Sequence, residues 1–198
     1  VPAAVIFDLR VGDPKVRPDA AMGQSACENA GKEVAQGLVG AGTGATVCKL
    51  VPGGICKNGG LGTAGITLPN GVTVGALAVV NAVGDIYHPH TGRLIACAML
   101  EDGTAVPAES LLYGHVPASK PKRIPEPGQN TTLAVVATDA VLNKEQANRL
   151  AAVAHDGLAR AIRPVHTQMD GDTVFALATG RVESDVNFLQ LCALAAEV

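Results

Sequence analysis

Aromatic residues are scarce in this sequence: they make up 3% of its 198 residues, and tryptophan is absent. A core without large rings has to close through small side chains, and alanine, valine and glycine are abundant here. A composition of 47% hydrophobic and 17% charged residues excludes a disordered chain, and the length suits one packed domain. These proportions favour a layered α/β fold.

Long apolar runs and dense basic blocks are also missing. No stretch of about 20 apolar residues is free of glycine, proline or charge, and no signal-peptide pattern opens the chain. We therefore expect a soluble, cytoplasmic protein with no membrane partner. The net charge is −3, and the only basic cluster is Lys120, Lys122 and Arg123 among prolines, so we expect no nucleic-acid partner.

Cysteine motifs are absent as well. None of the five cysteines forms a CxxC pair or has a histidine at metal-site spacing, so we expect reduced thiols, no metal and no cofactor. The chain opens directly in VPAAVIFDLR without a methionine, which is typical of the middle of a domain. We expect an N-terminal portion to be missing.

Hydrophobic periodicity and capping signals predict a series of elements. In chain order they are a buried strand at VPAAVIFDL, a small-residue helix from Pro18-Asp19 to Gly37, strands at Val72–Val80 and Thr132–Thr138, a helix that follows Asn143 and stops at Pro164, a strand at Thr173–Thr179, and a last helix capped by Ser184 or Asp185. The strands at 72–80 and 132–138 are apolar on both faces, which predicts central positions in a sheet. Asn143 and Gln146 match a capping box.

A glycine-rich segment covers residues 40–65 and predicts tight turns or a close backbone approach rather than a regular helix or strand. It lacks the GxxxxGK[ST] order of a phosphate-binding loop, because Lys49 is not followed by a hydroxyl residue. A nucleotide site is therefore not expected.

The junction PEPGQN/TTLAVVATDA joins a polar, proline-rich segment to a buried strand at Asn130 and Thr131. If the bond between them were cut, the Thr131 hydroxyl and its new α-amine would lie together at the end of a strand. An α-amine has a reference pKa of about 7.7–8.0 and can accept the hydroxyl proton near neutral pH. Spacing alone does not distinguish this arrangement from an ordinary strand start.

At these residues the chain resembles the DmpA-type L-aminopeptidase/D-esterase family, which includes β-aminopeptidases and the nylon-oligomer endohydrolase. The similar blocks are, in order, AAVIFDL, GAGTGATVCK, GGLGTAG, VGALAVVNAVGDI, NTTLAVVATDA and AHDGLARAIRPVHTQMDGDTVFALATG. The resemblance implies a four-layer αββα sandwich like that of N-terminal-nucleophile hydrolases. It also implies self-cleavage into an α part (1–130) and a β part (131–198) that stay associated, within a homo-oligomer of such pairs.

The resemblance also implies roles for individual residues. Thr131 would be the nucleophile, Asn81 an oxyanion donor, and Lys49 a cation that lowers the pKa of the α-amine or orients Thr131. Asp170 and Asp172 would support the site without a metal. Phe7 stands where some members have an active-site tyrosine, which leaves the substrate range open.

His155 and His166 are the other candidate bases, but a histidine on a helix face and one in a loop after a proline are more commonly structural. The α-amine of Thr131 already fills the role of a base.

The leading functional hypothesis is a self-processing amidohydrolase or aminopeptidase. It would hydrolyse amide bonds of short peptides, amino-acid amides or related oligomers through an acyl-enzyme on Thr131. One alternative is an acyltransferase of the ornithine-acetyltransferase type, although the junction lacks the Ala-Thr pair of that group. The other is a non-catalytic scaffold or assembly module.

Overall fold

The computed structural model of the chain describes residues 3–115, 129–183 and 186–198. Its helices are α1 (Ala20–Glu28), α2 (Ala108–Leu112), α3 (Lys144–Ala161) and α4 (Phe188–Ala195). Its strands are β1 (Thr46–Val47), β2 (Lys57–Asn58), β3 (Gly60–Thr67), β4 (Thr73–Asn81), β5 (Asp85–Tyr87), β6 (Leu94–Ala96), β7 (Ala98–Met99), β8 (Ala105–Val106), β9 (Thr131–Ala140), β10 (Ile162–Arg163) and β11 (Thr173–Val182).

The main sheet has four strands in the order β11-β9-β4-β3. Strands β3, β4 and β9 are antiparallel neighbours, whereas β11 runs parallel to β9. Both β4 and β9 have a neighbour on each side, so the predicted central position of these two strands is confirmed. The register places Asn81, the last residue of β4, opposite Thr131, the first residue of β9.

Helices α3 and α4 cover one face of this sheet. Val74 of β4 and Val136 of β9 pack with Leu150 of α3 and Leu191 of α4, and each of the four is at most 1% exposed. Burying a side chain of this size contributes about 1.5–3 kcal/mol. Because strand residues alternate between faces, Thr131 projects from the face opposite to Val136.

The predicted capping box at the start of α3 is confirmed. The Gln146 amide donates to Asn143 Oδ1 at 2.8 Å, and the Asn143 amide donates to Gln146 Oε1 at 3.0 Å. The helix ends at Ala161, slightly before the predicted stop at Pro164, because β10 already pairs with β5 there. An extended conformation is also the one that a following proline favours.

The last helix is present as predicted, but its observed cap is Asn187, whose Oδ1 accepts the Leu189 amide at 3.0 Å. The predicted caps Ser184 and Asp185 lie outside the described residues, as does the basic cluster at positions 120, 122 and 123. The predicted strand at Thr173–Thr179 is confirmed and extends to Val182.

A second, smaller core lies beside the sheet β10-β5-β6. Its buried members are Val47, Cys48, Val51, Ala82, Ala98, Val106 and Ile162. Leu158 and Ala161 of α3 pack against this cluster, so the same helix contacts both cores. The second core supports the chain on both sides of Lys49.

Two predictions for the first 40 residues are wrong. Residues 3–8 form no strand and pair with none of the described sheets. They are exposed or half-buried. The predicted helix is only Ala20–Glu28 instead of reaching Gly37, and none of its residues is buried. Alanine and glycine spacing alone is therefore a poor guide to a packed helix.

The prediction that the glycine-rich segment contains no regular element is also wrong, since the strand β3 (Gly60–Thr67) begins within it. The close backbone approach is nevertheless present. A Cβ at Gly59 would lie 2.0 Å from the Val80 carbonyl oxygen, and one at Gly42 would lie 2.6 Å from the Leu61 amide nitrogen. Glycine is required there because only hydrogen fits between the chains.

Among the described residues, no helix combines the length and apolar character needed to cross a membrane.

Candidate active site

The junction between Asn130 and Thr131 lies at the start of β9 and is almost completely buried. Asn130 is 1% exposed and Thr131 is 4% exposed. Thr131 Oγ1 donates a hydrogen bond to the Asn130 carbonyl oxygen at 2.7 Å. The hydroxyl group is therefore held against the carbonyl of the peptide bond that precedes its own residue.

A second donor reaches the same carbonyl. The Gly171 amide nitrogen lies 2.7 Å from the Asn130 carbonyl oxygen. A Cβ at position 171 would lie 2.9 Å from Thr131 Oγ1, so the absence of a side chain makes room for the hydroxyl. A backbone donor at this distance can stabilise negative charge on the carbonyl oxygen.

The side chain of Asn130 is held at both ends. Its Oδ1 accepts a hydrogen bond from Lys49 Nζ at 3.0 Å, and its Nδ2 donates to the Met169 carbonyl at 3.2 Å. These contacts fix the residue that precedes Thr131.

Lys49 links Asn130 to the end of β4. Its Nζ also donates to Asn81 Oδ1 at 2.7 Å and to the Asn81 carbonyl at 3.3 Å. Burial lowers the pKa of Lys49 to about 8, because the charged ammonium loses hydration. Lys49 can therefore change charge close to the pH range in which an α-amine does.

Asn81 is 1% exposed and makes contacts through both atoms of its amide. Its Oδ1 also accepts from the Thr46 amide at 3.1 Å, whereas its Nδ2 donates to the carbonyls of Phe7 at 3.3 Å and Gln129 at 3.5 Å. Phe7 thus reaches the site through its backbone carbonyl. Both Nδ2 bonds are longer than the roughly 2.7–3.2 Å that is usual for N–H···O bonds, so this donor is loosely engaged.

The two aspartates occupy different positions in the turn that leads into β11. Asp170 accepts from the Val83 amide at 3.2 Å and from the Thr167 hydroxyl at 2.6 Å, which ties this turn to the chain after β4. Asp172 accepts the Thr132 amide at 2.7 Å and contacts His166. Both therefore lie beside the junction.

The structure thus brings together all of the predicted site residues: Lys49, Asn81, Asn130, Thr131, Asp170 and Asp172. Sequence reasoning misses Gly171: its place between the two predicted aspartates in MDGDT marks the position but does not reveal the role of its amide. His166, expected to be structural, contacts Asp172. Within the described ranges, no three His, Cys, Asp or Glu side chains cluster as a metal site requires.

Comparison with known proteins identifies the class of protein that has this fold and junction. The family model described as peptidase family S58 matches residues 1–197. An uncharacterized aminopeptidase of Mycobacterium bovis is 49% identical over 183 residues, which cover 92% of this chain and 51% of the relative. The 6-aminohexanoate-oligomer endohydrolase of Agromyces sp. is 32% identical over 185 residues, covering 92% and 51% respectively.

Solved structures of aminopeptidases have a similar fold. A β-aminopeptidase of Burkholderia sp. superposes with a TM-score of 0.56 at 28% identity, over 91% of this chain and 48% of that one. The L-aminopeptidase D-Ala-esterase/amidase of Ochrobactrum anthropi, described as a variant of the N-terminal-nucleophile hydrolase fold, gives 0.53 at 22% identity, over 89% and 47%. The predicted fold class is confirmed.

The chain belongs to peptidase family S58, and the resemblance inferred from its sequence blocks is confirmed. It spans about half the length of the curated relatives that it matches.

Proposed function

We propose that this chain is part of a self-processing amidohydrolase or aminopeptidase in which Thr131 is the nucleophile. The observation that carries the proposal is the pair of hydrogen bonds on the Asn130 carbonyl oxygen, from Thr131 Oγ1 and from the Gly171 amide, each 2.7 Å long. One donor is the attacking hydroxyl, and the other is placed to stabilise the charge that attack creates.

Self-cleavage proceeds by an N-to-O acyl shift. Thr131 Oγ1 attacks the Asn130 carbonyl carbon, the bond to the Thr131 nitrogen breaks, and the hydroxyl proton ends on that nitrogen. Water then hydrolyses the ester, which leaves a carboxylate on Asn130 and a free α-amine on Thr131. The Gly171 amide donates to the oxyanion, while Lys49 and Met169 hold the Asn130 side chain.

In the processed protein the α-amine of Thr131 acts as the general base for its own hydroxyl, as in other N-terminal nucleophiles. The hydroxyl attacks a substrate amide, an acyl-enzyme forms, the amine product leaves, and water releases the acid. Departure of the segment that ends at Asn130 frees the Asn81 amide from the Gln129 carbonyl, and Asn81 Nδ2 then donates to the new oxyanion. Lys49 keeps the Asn81 side chain oriented.

The names of the relatives support the substrate class. Aminopeptidase and 6-aminohexanoate-oligomer endohydrolase both describe cleavage of amide bonds. We propose amides of short peptides, amino acids or related oligomers as substrates. We further propose that the α and β parts remain associated and form a homo-oligomer. A cytoplasmic location is proposed because the five cysteines are unpaired, which fits a reducing compartment.

Intact-mass analysis of the full-length protein tests the proposal. The expected result is two polypeptides divided between Asn130 and Thr131, together with release of p-nitroaniline from amino-acid or β-amino-acid p-nitroanilides. Thr131→Ala should abolish both processing and turnover, because no hydroxyl remains. Thr131→Ser keeps the hydroxyl and serves as the matched control.

Three results would contradict the assignment or redirect it. A chain that stays whole and inactive supports the scaffold alternative. Processing followed by transfer of an acetyl group to ornithine, without hydrolysis, supports the acyltransferase. An active Thr131→Ala protein removes Thr131 as the nucleophile.

A further inference from the structure

The peptide bond on the C-terminal side of Thr131 is anchored by a side chain. The Thr132 amide donates to Asp172 Oδ1 at 2.7 Å. Regular pairing of β9 with β11 begins one residue later, with Leu133 opposite Thr173. The Asp172 carboxylate therefore supplies the acceptor just before the strand ladder starts.

The other oxygen of Asp172 is occupied by His166. His166 Nδ1 lies 2.8 Å from Asp172 Oδ2, and the His166 amide donates to the same oxygen at 3.3 Å. The side chain of Asp172 is 3% exposed, whereas that of His166 is 37% exposed. A buried carboxylate requires such donors, and His166 provides two of them.

His166 has an unusual backbone conformation. Its φ is +53°, in the left-handed region that residues other than glycine seldom adopt. Such a conformation persists where the surroundings maintain it. The His166 ring also contacts His155 of α3, whose ring centroid lies 4.8 Å from that of His166 with an interplanar angle of 68°.

The second histidine of this contact is His155. Burial, followed by the neighbouring His166, lowers the pKa of His155, which favours its neutral form. His155 thus packs against the His166 ring, and the polar partner of Asp172 on this side is His166.

We propose that His166, acting through Asp172, is a positioning residue for the nucleophile. The amide of Thr132 and the carbonyl of Thr131 form one rigid plane. Fixing that plane fixes the position of the Thr131 Cα and the direction of its Cα–C bond. Together with the pairing of Thr131 with Asn81, this sets where the hydroxyl and α-amine lie relative to Asn130 and Asn81. This inference rests on the proposed function, since it assigns His166 a part in Thr131 chemistry.

The test uses three substitutions in the full-length protein. His166→Asn keeps a side-chain donor near the position of Nδ1, and asparagine tolerates the left-handed region. His166→Asp has nearly the same shape as His166→Asn, but it places a second carboxylate against that of Asp172. His166→Gly removes the side chain while relieving the backbone strain, so a loss in this variant does not come from φ.

The rate of self-cleavage is followed by intact mass, and kcat and KM are measured on a p-nitroanilide after processing. In His166→Gly and His166→Asp we expect both the cleavage rate and kcat to fall at least about tenfold, toward the ~10²-fold that a 1 Å misplacement can cost. KM should stay within about twofold, because an interaction that positions the nucleophile acts in the transition state. His166→Asn should retain most of both rates.

Thermal unfolding separates positioning from folding. His166→Asp and His166→Asn have nearly the same shape and differ in charge, so comparing them isolates the effect of the donor. If one of these two variants fails to fold, the comparison of His166→Gly with the wild type still tests the proposal. The proposal is overturned if His166→Gly cleaves and turns over like the wild type, if His166→Asn loses as much as His166→Asp, or if only KM changes. A wild-type protein that is neither cleaved nor active contradicts both the proposed function and this inference. If the wild type is cleaved and His166→Gly is cleaved equally fast, only the positioning role of His166 is contradicted.

Discussion

Gly171 is the residue on which the geometry of the junction most directly depends. Its amide donates to the Asn130 carbonyl, and its missing side chain leaves space for Thr131 Oγ1. Asp170 and Asp172, on either side of it, are bonded to Val83 and Thr132 respectively, so the turn that carries this amide is held on both sides. Gly171 therefore supplies both an amide donor to the carbonyl and the space that the Thr131 hydroxyl occupies.

Gly171→Ala should slow self-cleavage without unfolding the protein. The new Cβ would lie 2.9 Å from Thr131 Oγ1, which is closer than real contacts allow, so the hydroxyl has to move away from the carbonyl. We expect the cleavage rate to fall by about tenfold to a hundredfold, as for other small misplacements of a nucleophile. A time course of intact mass measures it.

Gly23→Ala is the matched control for that substitution. Gly23 lies in α1, and a Cβ added there would have nothing within 4 Å. Its cleavage rate should equal that of the wild type. Equal rates in Gly171→Ala and Gly23→Ala would show that the space at position 171 has no part in cleavage.

At the scale of elements, α3 contributes stability more than chemistry. Leu150 and Ala154 on its buried face pack against the main sheet, while Leu158 and Ala161 contact the second core. Its capping box satisfies two backbone groups at the amino end. His155 connects this helix to the junction, through the ring of His166.

Asn143→Ala should therefore destabilise the protein by about 1 kcal/mol, the usual cost of removing an N-cap side chain. Urea denaturation measures this loss, and the self-cleavage rate should remain unchanged because the cap is remote from Thr131. Asn148→Ala removes the same type of side chain from an exposed position of α3 and should change stability by no more than about 0.5 kcal/mol. If the two variants were equally stable, the capping box would contribute nothing.

At the scale of the whole molecule, the junction lies at the start of a central strand of the main sheet. β9, which belongs to the proposed β part, pairs with β4 of the proposed α part over eight positions from Val74–Thr138 to Asn81–Thr131. Cutting the bond before Thr131 removes one covalent link and leaves this ladder and the packing of α4 against β4 in place. The two parts should consequently remain one body.

After processing, the α and β parts should elute together in size-exclusion chromatography under native conditions and separate only in denaturant. The physical reason is the shared core, which neither part retains alone. Thr131→Ala, which keeps the chain whole, marks the elution position of the uncut form. A β part that eluted alone in native buffer would contradict association through the sheet.

Short-range patterns in the sequence were sufficient for several elements. The apolar runs of β4 and β9, the capping box at Asn143 and the strand before Val182 depend on neighbouring residues, and the structure confirms them. The same local rules failed at residues 3–8 and in the glycine-rich segment. Whether these residues form a strand depends on whether a distant strand is available for pairing. For example, Gly60 of β3 pairs with Val80 of β4.

By itself, the sequence determined the family through the order of its similar blocks and pointed to Thr131, Asn81 and Lys49 as residues of one site. Only the tertiary structure decided how they meet, because Lys49, Asn81, Asn130 and Gly171 are far apart in the chain and come together through the register of β4 with β9 and the turn before β11. A backbone donor such as the Gly171 amide carries no side-chain signature. Its role becomes visible only when the fold directs it at a particular carbonyl.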